Sequence, residues 1–141
     1  MSKVRIVYAT KTKHSRKLAQ AVGKALGTTP ENVADNLTNV EADLLFIVGG
    51  LYGGQSLPEL LAFTEGLDKE MIRQVALVTS CASGNQGQSS VRKILEDKGI
   101  PIIDEFICLG SFLVVKMGHP NQEEIRKAAD FALRIAEGAV A

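Results

Sequence analysis

The sequence has too few cysteines for a disulfide framework or a zinc site. Its 141 residues include two cysteines, Cys81 and Cys108, which do not have the spacing of a metal-binding motif. No apolar run approaches the roughly 20 residues that cross a membrane. The N-terminus lacks the layout of a secretory signal, because its apolar run is short and is interrupted by Arg5. These absences predict a cytoplasmic protein without membrane insertion.

The chain also lacks an excess of charge of either sign. Its 16 basic residues balance 16 acidic ones, and aromatic residues make up 5% of the chain. Surfaces that bind nucleic acid are typically basic, so this composition predicts no nucleic-acid partner. The length and the 45% content of hydrophobic residues predict one domain, residues 1–141, with a substantial core.

Short apolar runs alternate with amphipathic patterns along the chain. The runs predict strands at residues 4–9, 32–36, 44–48, 75–78 and 102–109. Gly27 and Gly99 are typical of helix C-termini, and Asn121 is a candidate N-cap for the last helix. Ser56 and Pro58 are typical of a helix start. The alternation predicts an α/β fold, in which helices cover both faces of a parallel sheet.

Three polar or glycine-rich loops follow predicted strands, at residues 10–15, 49–55 and 80–87. Ligands of such sheets bind beyond the carboxyl ends of the strands, which predicts a shared site for the three loops. In the first loop the hydroxyl residues Thr10, Thr12 and Ser15 lie between a strand and a helix. Helix N-termini present unpaired N–H groups and the positive end of the helix dipole. This loop therefore predicts an anion site, most naturally for phosphate.

Other ligand-binding α/β classes lack their signature residues in this chain. The dinucleotide motif Gly-x-Gly-x-x-Gly and the Walker phosphate loop are both absent. A response-regulator receiver needs an acidic pair after the first strand and an aspartate after the third, where this chain has Thr10-Lys11 and Gly49. A cysteine phosphatase needs arginine six residues after its nucleophile, but Gly87 holds that place after Cys81. Cys81 is accordingly predicted to be a small loop or core residue.

The three loops, taken in this order, resemble those of the flavodoxin family. The family's phosphate loop reads Ser/Thr-x-Thr-Gly-Asn-Thr, and residues 10–15 here read Thr-Lys-Thr-Lys-His-Ser. Lys13 stands at the usual glycine position and His14 at the usual asparagine position. The resemblance covers essentially the whole chain, and the length matches the short-chain type. It implies a three-layer, doubly wound, five-stranded parallel sheet in the order 2-1-3-4-5.

The resemblance implies FMN as the cofactor, with its phosphate in the first loop. Backbone N–H groups and side chains of that loop would bind the phosphate: Thr10, Lys11, Thr12, Lys13, His14 and Ser15. Lys13 or His14 would either add charge-assisted hydrogen bonds or crowd a loop whose backbone needs glycine.

The same resemblance assigns the flavin ring to the other two loops. The second loop would cover one face of the isoalloxazine, with Tyr52 stacked on it, through Gly50, Leu51, Tyr52, Gly53 and Gly54. The third loop would grip the pyrimidine end, with Asn85 as a side-chain donor, through Ser80, Cys81, Ala82, Ser83, Gly84, Asn85 and Gly87. The third loop lacks the usual second stacking aromatic, which leaves one flavin face open to a substrate, a partner or a second subunit of a homodimer.

This resemblance implies an FMN-binding carrier of electrons with no catalytic side chain and no metal. Its partner would be a redox protein, either a reductase or an acceptor enzyme. Two alternatives stay open at this point. One is an FMN-dependent reductase of the NAD(P)H/quinone type, and the other is a flavodoxin-like module that has lost FMN through Lys13 and His14.

Overall fold

The computed structural model describes residues 3–9, 13–35, 37–52, 55–81, 87–108 and 122–140. The strands are β1 (Val4–Ala9), β2 (Glu31–Asn32), β3 (Leu44–Tyr52), β4 (Gln55–Ser56), β5 (Val75–Cys81) and β6 (Ile102–Cys108). The α-helices are α1 (Lys13–Leu26), α2 (Pro58–Glu65), α3 (Ser89–Lys98) and α4 (Gln122–Val140), and a short 3-10 helix spans Val33–Asp35. None of the described helices combines the length and the apolar character that crossing a bilayer requires.

The strands form one sheet in the order β2-β1-β3-β5-β6, and all neighbours along this path are parallel. Numbered without the two-residue β4, this is the predicted order 2-1-3-4-5, so the predicted fold is confirmed. β4 is an addition to the five-stranded prediction. It pairs antiparallel with the end of β3 and makes the sheet six-stranded.

Each face of the sheet is covered by a pair of helices. On one face Leu45 and Ile47 of β3 pack in a cluster with residues of α2 and α3. On the other face Leu44, Phe46 and Val48 pack with residues of α1 and α4. β3 lies in the middle of the sheet and is buried on both faces, which explains why its sequence is a continuous apolar run.

The second strand is shorter than the prediction for residues 32–36. β2 ends at Asn32, and the chain turns at once into the 3-10 helix. The side-chain Oδ1 of Asn32 accepts a hydrogen bond from the backbone N–H of Ala34 at 2.9 Å. Such a local side-chain bond offers the backbone an alternative to the strand ladder, and here the alternative prevails.

The helix ends follow the sequence signals with one exception. Gly27 and Gly99 adopt left-handed φ values of 67° and 76°, as expected for residues that follow a helix. Pro58 begins α2 as predicted, but the N-cap is Leu57 and not Ser56. Ser56 belongs to β4 instead. The predicted cap Asn121 lies outside the described residues.

Candidate functional site

The carboxyl ends of three neighbouring strands lie at one edge of the sheet, where β3 and β5 continue three and two residues beyond the level at which β1 ends. Ala9 of β1 pairs with Gly49 of β3, and Gly49 pairs in turn with Thr79 of β5. Adjacent strands of a sheet lie about 4.8 Å apart, so these three residues span about 10 Å of the sheet edge. A single ligand of moderate size at this edge could span the ends of β1, β3 and β5.

The first loop is described from the start of α1 onward. Thr10, Lys11 and Thr12 lie outside the described residues, and Lys13 and His14 form the start of α1. Their helical backbone is available to any residue, so the glycine expected at the position of Lys13 is not required there.

Ser15 carries a buried hydroxyl group that is unpaired within the described residues. Its side chain is 0% exposed, and its hydroxyl Oγ has no hydrogen-bond partner in the described part of the chain. Buried hydroxyl groups are normally hydrogen-bonded. Ser15 lies in the first turn of α1, where unpaired backbone N–H groups also face outward along the helix axis. The hydroxyl of Ser15, at the N-terminus of α1, therefore has no acceptor within the described residues.

α1 differs from the other three described helices in lacking an acidic group near its N-terminus. α2 carries Glu59 in its first turn, and α4 carries Glu123 and Glu124. α3 has no acidic residue of its own there, but the carboxylate of Glu105 accepts a hydrogen bond from the N–H of Gln88, its N-cap. The first turn of α1 has no acidic residue. Since anions stabilise this end of a helix, an external anion is the natural complement to α1.

The second loop is shorter than predicted. β3 continues through Gly49, Gly50 and Leu51 to Tyr52, and the backbone pairs again with β4 from residue 55. The prediction of a loop over residues 49–55 is wrong for these four residues and for Gln55, which begins β4. The physical reason is pairing, because Leu51 opposes both Ser56 of β4 and Cys81 of β5. Gly53 and Gly54, and the Tyr52 side chain, lie outside the description.

Gly49 serves packing inside the domain. A Cβ at this position would lie 2.7 Å from Cδ2 of Leu60 and 2.9 Å from Oε1 of Gln88. Real Cβ atoms do not approach other atoms so closely, so only glycine lets α2 and the start of α3 lie this near to β3. The glycines at the end of β3 therefore do not all point to a ligand.

The third loop is described only at its two ends. Ser80 and Cys81 are the last residues of β5, and Gly87 lies before α3. The prediction of a loop over residues 80–87 is wrong for Ser80 and Cys81, because their backbone pairs with Gly50 and Leu51 of β3. Ser80 and Gly87 are half-buried. Ala82, Ser83, Gly84 and Asn85 lie outside the described residues.

A polar cluster joins these two ends and was not predicted from the sequence. Oε2 of Glu105 accepts a hydrogen bond from Oγ1 of Thr79 at 2.7 Å and another from the N–H of Gln88 at 2.9 Å. Oε1 of the same carboxylate accepts a bond from Arg92 at 3.0 Å. One carboxylate thus ties the strand before the loop to the helix after it. We call Thr79, Gln88, Arg92 and Glu105 the Glu105 cluster.

Gln88 extends the Glu105 cluster into the sheet. Its side chain is 0% exposed, and its Nε2 lies 3.0 Å from Oγ1 of Thr79 and 3.2 Å from the carbonyl oxygen of Val78. A third, longer contact of 3.4 Å reaches the carbonyl oxygen of Ile47 on β3. The amide therefore bridges β3 and β5 below the candidate site. A polar residue within an apolar strand, as Glu105 is within β6, was the sequence signal that could have indicated this cluster.

Unpartnered polar atoms collect at this edge of the sheet. Within the described residues, the buried side-chain polar atoms without a hydrogen-bond partner are Oγ of Ser15, Oγ of Ser56 and Oε1 of Gln88. Each belongs to a residue at or beside one of the three loops. Buried polar groups are normally paired, so an edge that collects unpaired ones is typical of a site for a polar ligand.

A large groove among the described residues lies away from the loops. It is a groove of about 730 Å³ between α1 and α4, lined by Ala21, Lys24, Ala25, Glu123, Ile125, Arg126 and Ala129. It contains none of the unpartnered buried atoms, so the chemistry favours the strand ends over the larger volume. Within the described residues, no group of three or more His, Cys, Asp or Glu side chains is placed to hold a metal ion.

Sequence comparison finds a relative of similar length but no matching family. No protein-family model matches the chain. An uncharacterized protein of Methanocaldococcus jannaschii is 27% identical over 139 residues, covering 87% of this chain and 90% of its own.

Two solved structures show the same architecture over nearly the whole chain. Oxidised flavodoxin 2 from Bacillus cereus superposes with a TM-score of 0.72 at 15% identity, covering 97% of this chain and 99% of its own. A short-chain flavodoxin associated with a bacterial microcompartment gives a TM-score of 0.72 at 18% identity, covering 99% of both chains. The chain is therefore a flavodoxin-like domain in its fold.

Proposed function

We propose that this protein binds FMN at the carboxyl edge of its sheet and carries electrons through it. The observation that carries the proposal is the buried hydroxyl of Ser15, which has no acceptor within the described residues. It lies in the first turn of α1, where acidic residues are absent. A phosphate ester supplies both the missing acceptor and the negative charge that this helix end favours.

The residues present fit FMN. Residues 10–15 would hold the phosphate, and the helical backbone of Lys13 removes the need for glycine at that position. This supports retention of FMN over the alternative of a module that has lost it. Residues 50–54 and 80–87 begin on the neighbouring strands and would hold the flavin ring. The fold of the two flavodoxin structures supports the same placement.

The role of the protein would be to bind and tune the flavin. Bound FMN supplies the redox chemistry, and the chain positions it and excludes competing reactions. No side chain at the edge is needed as an acid or a base.

An FMN titration followed by quenching of flavin fluorescence tests this proposal. We expect saturable quenching by the wild-type protein, and weaker quenching with lower affinity for Tyr52→Ala, because stacking on an aromatic ring quenches a flavin. Absence of quenching by the wild-type protein would refute FMN binding. Unchanged quenching in Tyr52→Ala would remove Tyr52 from the site.

A second titration isolates the phosphate contact. Ser15→Ala should weaken FMN binding about tenfold, since hydrogen bonds to charged groups contribute about 1.5–3 kcal/mol. Riboflavin, which lacks the phosphate, should bind wild type and Ser15→Ala equally. Ser89→Ala is a matched control, because Ser89 begins α3 and is exposed. Equal losses for FMN and riboflavin would assign Ser15 to the fold alone.

Steady-state assays separate the carrier from the reductase. NAD(P)H consumption is followed with FMN-loaded protein and a quinone acceptor. A carrier should show negligible turnover without a partner reductase. Sustained turnover would favour the reductase alternative.

A further inference from the structure

The balanced total charge conceals a strong separation of charge along the chain. Residues 1–30 contain seven basic and no acidic residues, because Glu31 is the first acid in the sequence. Residues 31–141 contain nine basic and 16 acidic residues. The first segment therefore carries a net charge of +7 and the rest carries −7.

Two of the early cations have partners and lie at the end of the sheet away from the candidate site. Nζ of Lys3 is 3.9 Å from a carboxylate oxygen of Glu41, and a guanidinium nitrogen of Arg5 is 2.7 Å from Glu31. The charges of these two residues are balanced within the fold, so neither is a candidate for contact with a partner.

Three cations of α1 have no such role. Arg16, Lys17 and Lys24 are exposed, and none of them has an ion-pair partner within the described residues. The opposite side of α1, which includes Leu18 and Val22, is buried in the core. At 1.5 Å per residue, Arg16 and Lys24 are about 12 Å apart along the helix axis. We call Arg16, Lys17 and Lys24 the basic face of α1.

The stability of α1 does not explain Arg16 and Lys17, whereas Lys24 lies in the last turn, where a cation is favourable to the helix dipole. Surface cations of helices are commonly balanced by acids three or four residues away. Two other helices show this arrangement, with Lys93 3.8 Å from Asp97 on α3 and Lys127 3.7 Å from Glu123 on α4. α1 contains no acidic residue. Arg16 and Lys17 also lie near its N-terminus, where a positive charge is unfavourable to the helix dipole.

We propose that the basic face of α1 is the docking surface for an acidic electron-transfer protein. This inference rests on the proposed function, since α1 begins at the loop that would hold the FMN phosphate. A reduced partner seated on α1 would give up one electron and FMN would accept it. Complementary charge speeds and orients such an encounter.

The charge distribution favours an acidic protein over a nucleic acid. An extended polyanion would also meet the rest of the chain, which carries a net charge of −7. A protein with a local acidic patch can contact one helix and avoid that repulsion.

The test uses oxidised plant-type [2Fe–2S] ferredoxin as an acidic probe, titrated into the protein by calorimetry and by NMR. We expect shift changes concentrated in residues 13–26. We also expect the affinity to fall about tenfold between low and physiological salt, because salt screens exposed charges. The triple variant Arg16→Gln/Lys17→Gln/Lys24→Gln should lose about tenfold in affinity at low salt and little at high salt.

A matched control removes the same charge elsewhere. Lys69→Gln/Arg73→Gln/Lys93→Gln changes three exposed cations outside α1 and should stay within twofold of wild type. Equal losses in both triple variants, shift changes outside α1, or absence of binding would overturn the proposal. The proposal would also be overturned if the protein bound a 20-base-pair DNA duplex through α1 more tightly than it binds ferredoxin.

The two proposals fail in different ways. Ferredoxin is titrated in parallel into protein without FMN. If the protein does not bind FMN but still binds ferredoxin at α1, the electron-transfer function is refuted, and α1 remains a docking surface for an acidic protein. FMN binding without ferredoxin binding would refute the docking surface alone.

Discussion

Gly87→Ala tests whether the Glu105 carboxylate is held rigidly beneath the third loop. A Cβ on residue 87 would lie 2.6 Å from both carboxylate oxygens of Glu105 and 2.8 Å from its Cδ. A free carboxylate at the end of a flexible side chain would move aside at little cost. This carboxylate is held by Thr79, Gln88 and Arg92, so it cannot move without breaking hydrogen bonds.

The expected cost of Gly87→Ala follows from these bonds. Thr79 and Gln88 are 0% exposed, so their donors cannot turn to water when the carboxylate shifts. The Arg92 side chain is 38% exposed, and its ion pair should contribute less than about 1 kcal/mol. Overpacking and the weakening of two buried bonds together should reduce the free energy of unfolding by about 2–3 kcal/mol.

A double-mutant cycle with Glu105→Ala isolates this effect. Glu105→Ala alone should cost about 2–4 kcal/mol, because it leaves two buried donors without an acceptor. In that background the methyl group of Gly87→Ala enters vacated space and should cost less than about 0.5 kcal/mol. The free energies of unfolding are measured by urea denaturation, with circular dichroism as the signal.

Additivity would refute the reasoning. If Gly87→Ala costs the same with and without the carboxylate, to within about 0.5 kcal/mol, the two residues are not coupled. If Gly87→Ala alone costs nothing, the carboxylate moves freely and does not tie the two ends of the loop together.

Three further predictions concern stability and are checked by urea denaturation. Gly49→Ala should reduce the free energy of unfolding by about 2–3 kcal/mol, because its Cβ would lie 2.7 Å from Cδ2 of Leu60. Arg5→Met should cost about 1 kcal/mol, because the half-buried guanidinium donates two bonds to Glu31, at 2.7 and 2.9 Å. Leu77→Ala should cost about 2–5 kcal/mol, because Leu77 is 0% exposed in the middle of β5.

Two of these predictions have a control variant. Leu133→Ala removes a leucine that is 41% exposed and should cost less than about 0.5 kcal/mol. Lys3→Met breaks an ion pair whose side chains are 54% and 62% exposed, and it should have almost no effect. If Arg5→Met and Lys3→Met reduce the free energy of unfolding equally, burial of the ion pair of Arg5 adds no stability. If Gly49→Ala leaves the free energy of unfolding unchanged, α2 adjusts freely to β3.

The strands that the sequence predicted well are those whose own residues carry the signal. The predicted parts of β3 and β5, residues 44–48 and 75–78, lie between other strands and under helices on both faces, so burial favours an apolar side chain at each of these positions. The ends of α1 and α3 were predicted because Gly27 and Gly99 adopt left-handed angles that favour glycine.

Two of the errors arose where another strand supplied the hydrogen bonds. Gly49 and Gly50 were predicted to be loop residues because glycine is a poor strand former, yet pairing with β1 and β5 holds them in the sheet. Ser56 was predicted to cap α2, yet its backbone pairs with Leu51. Neither partner is visible in the local pattern.

The sequence by itself determined the alternation of strands and helices, the two-sided burial of the sheet and the hydroxyl-rich entry to α1. Tertiary structure alone decided which polar groups meet. Glu105 joins Thr79, 26 residues earlier, only because β5 and β6 lie side by side, and it reaches Gln88 only because the fold brings the start of α3 to β6. Hydrophobic periodicity is a property of one segment, whereas a buried hydrogen bond needs two segments to be brought together by the fold.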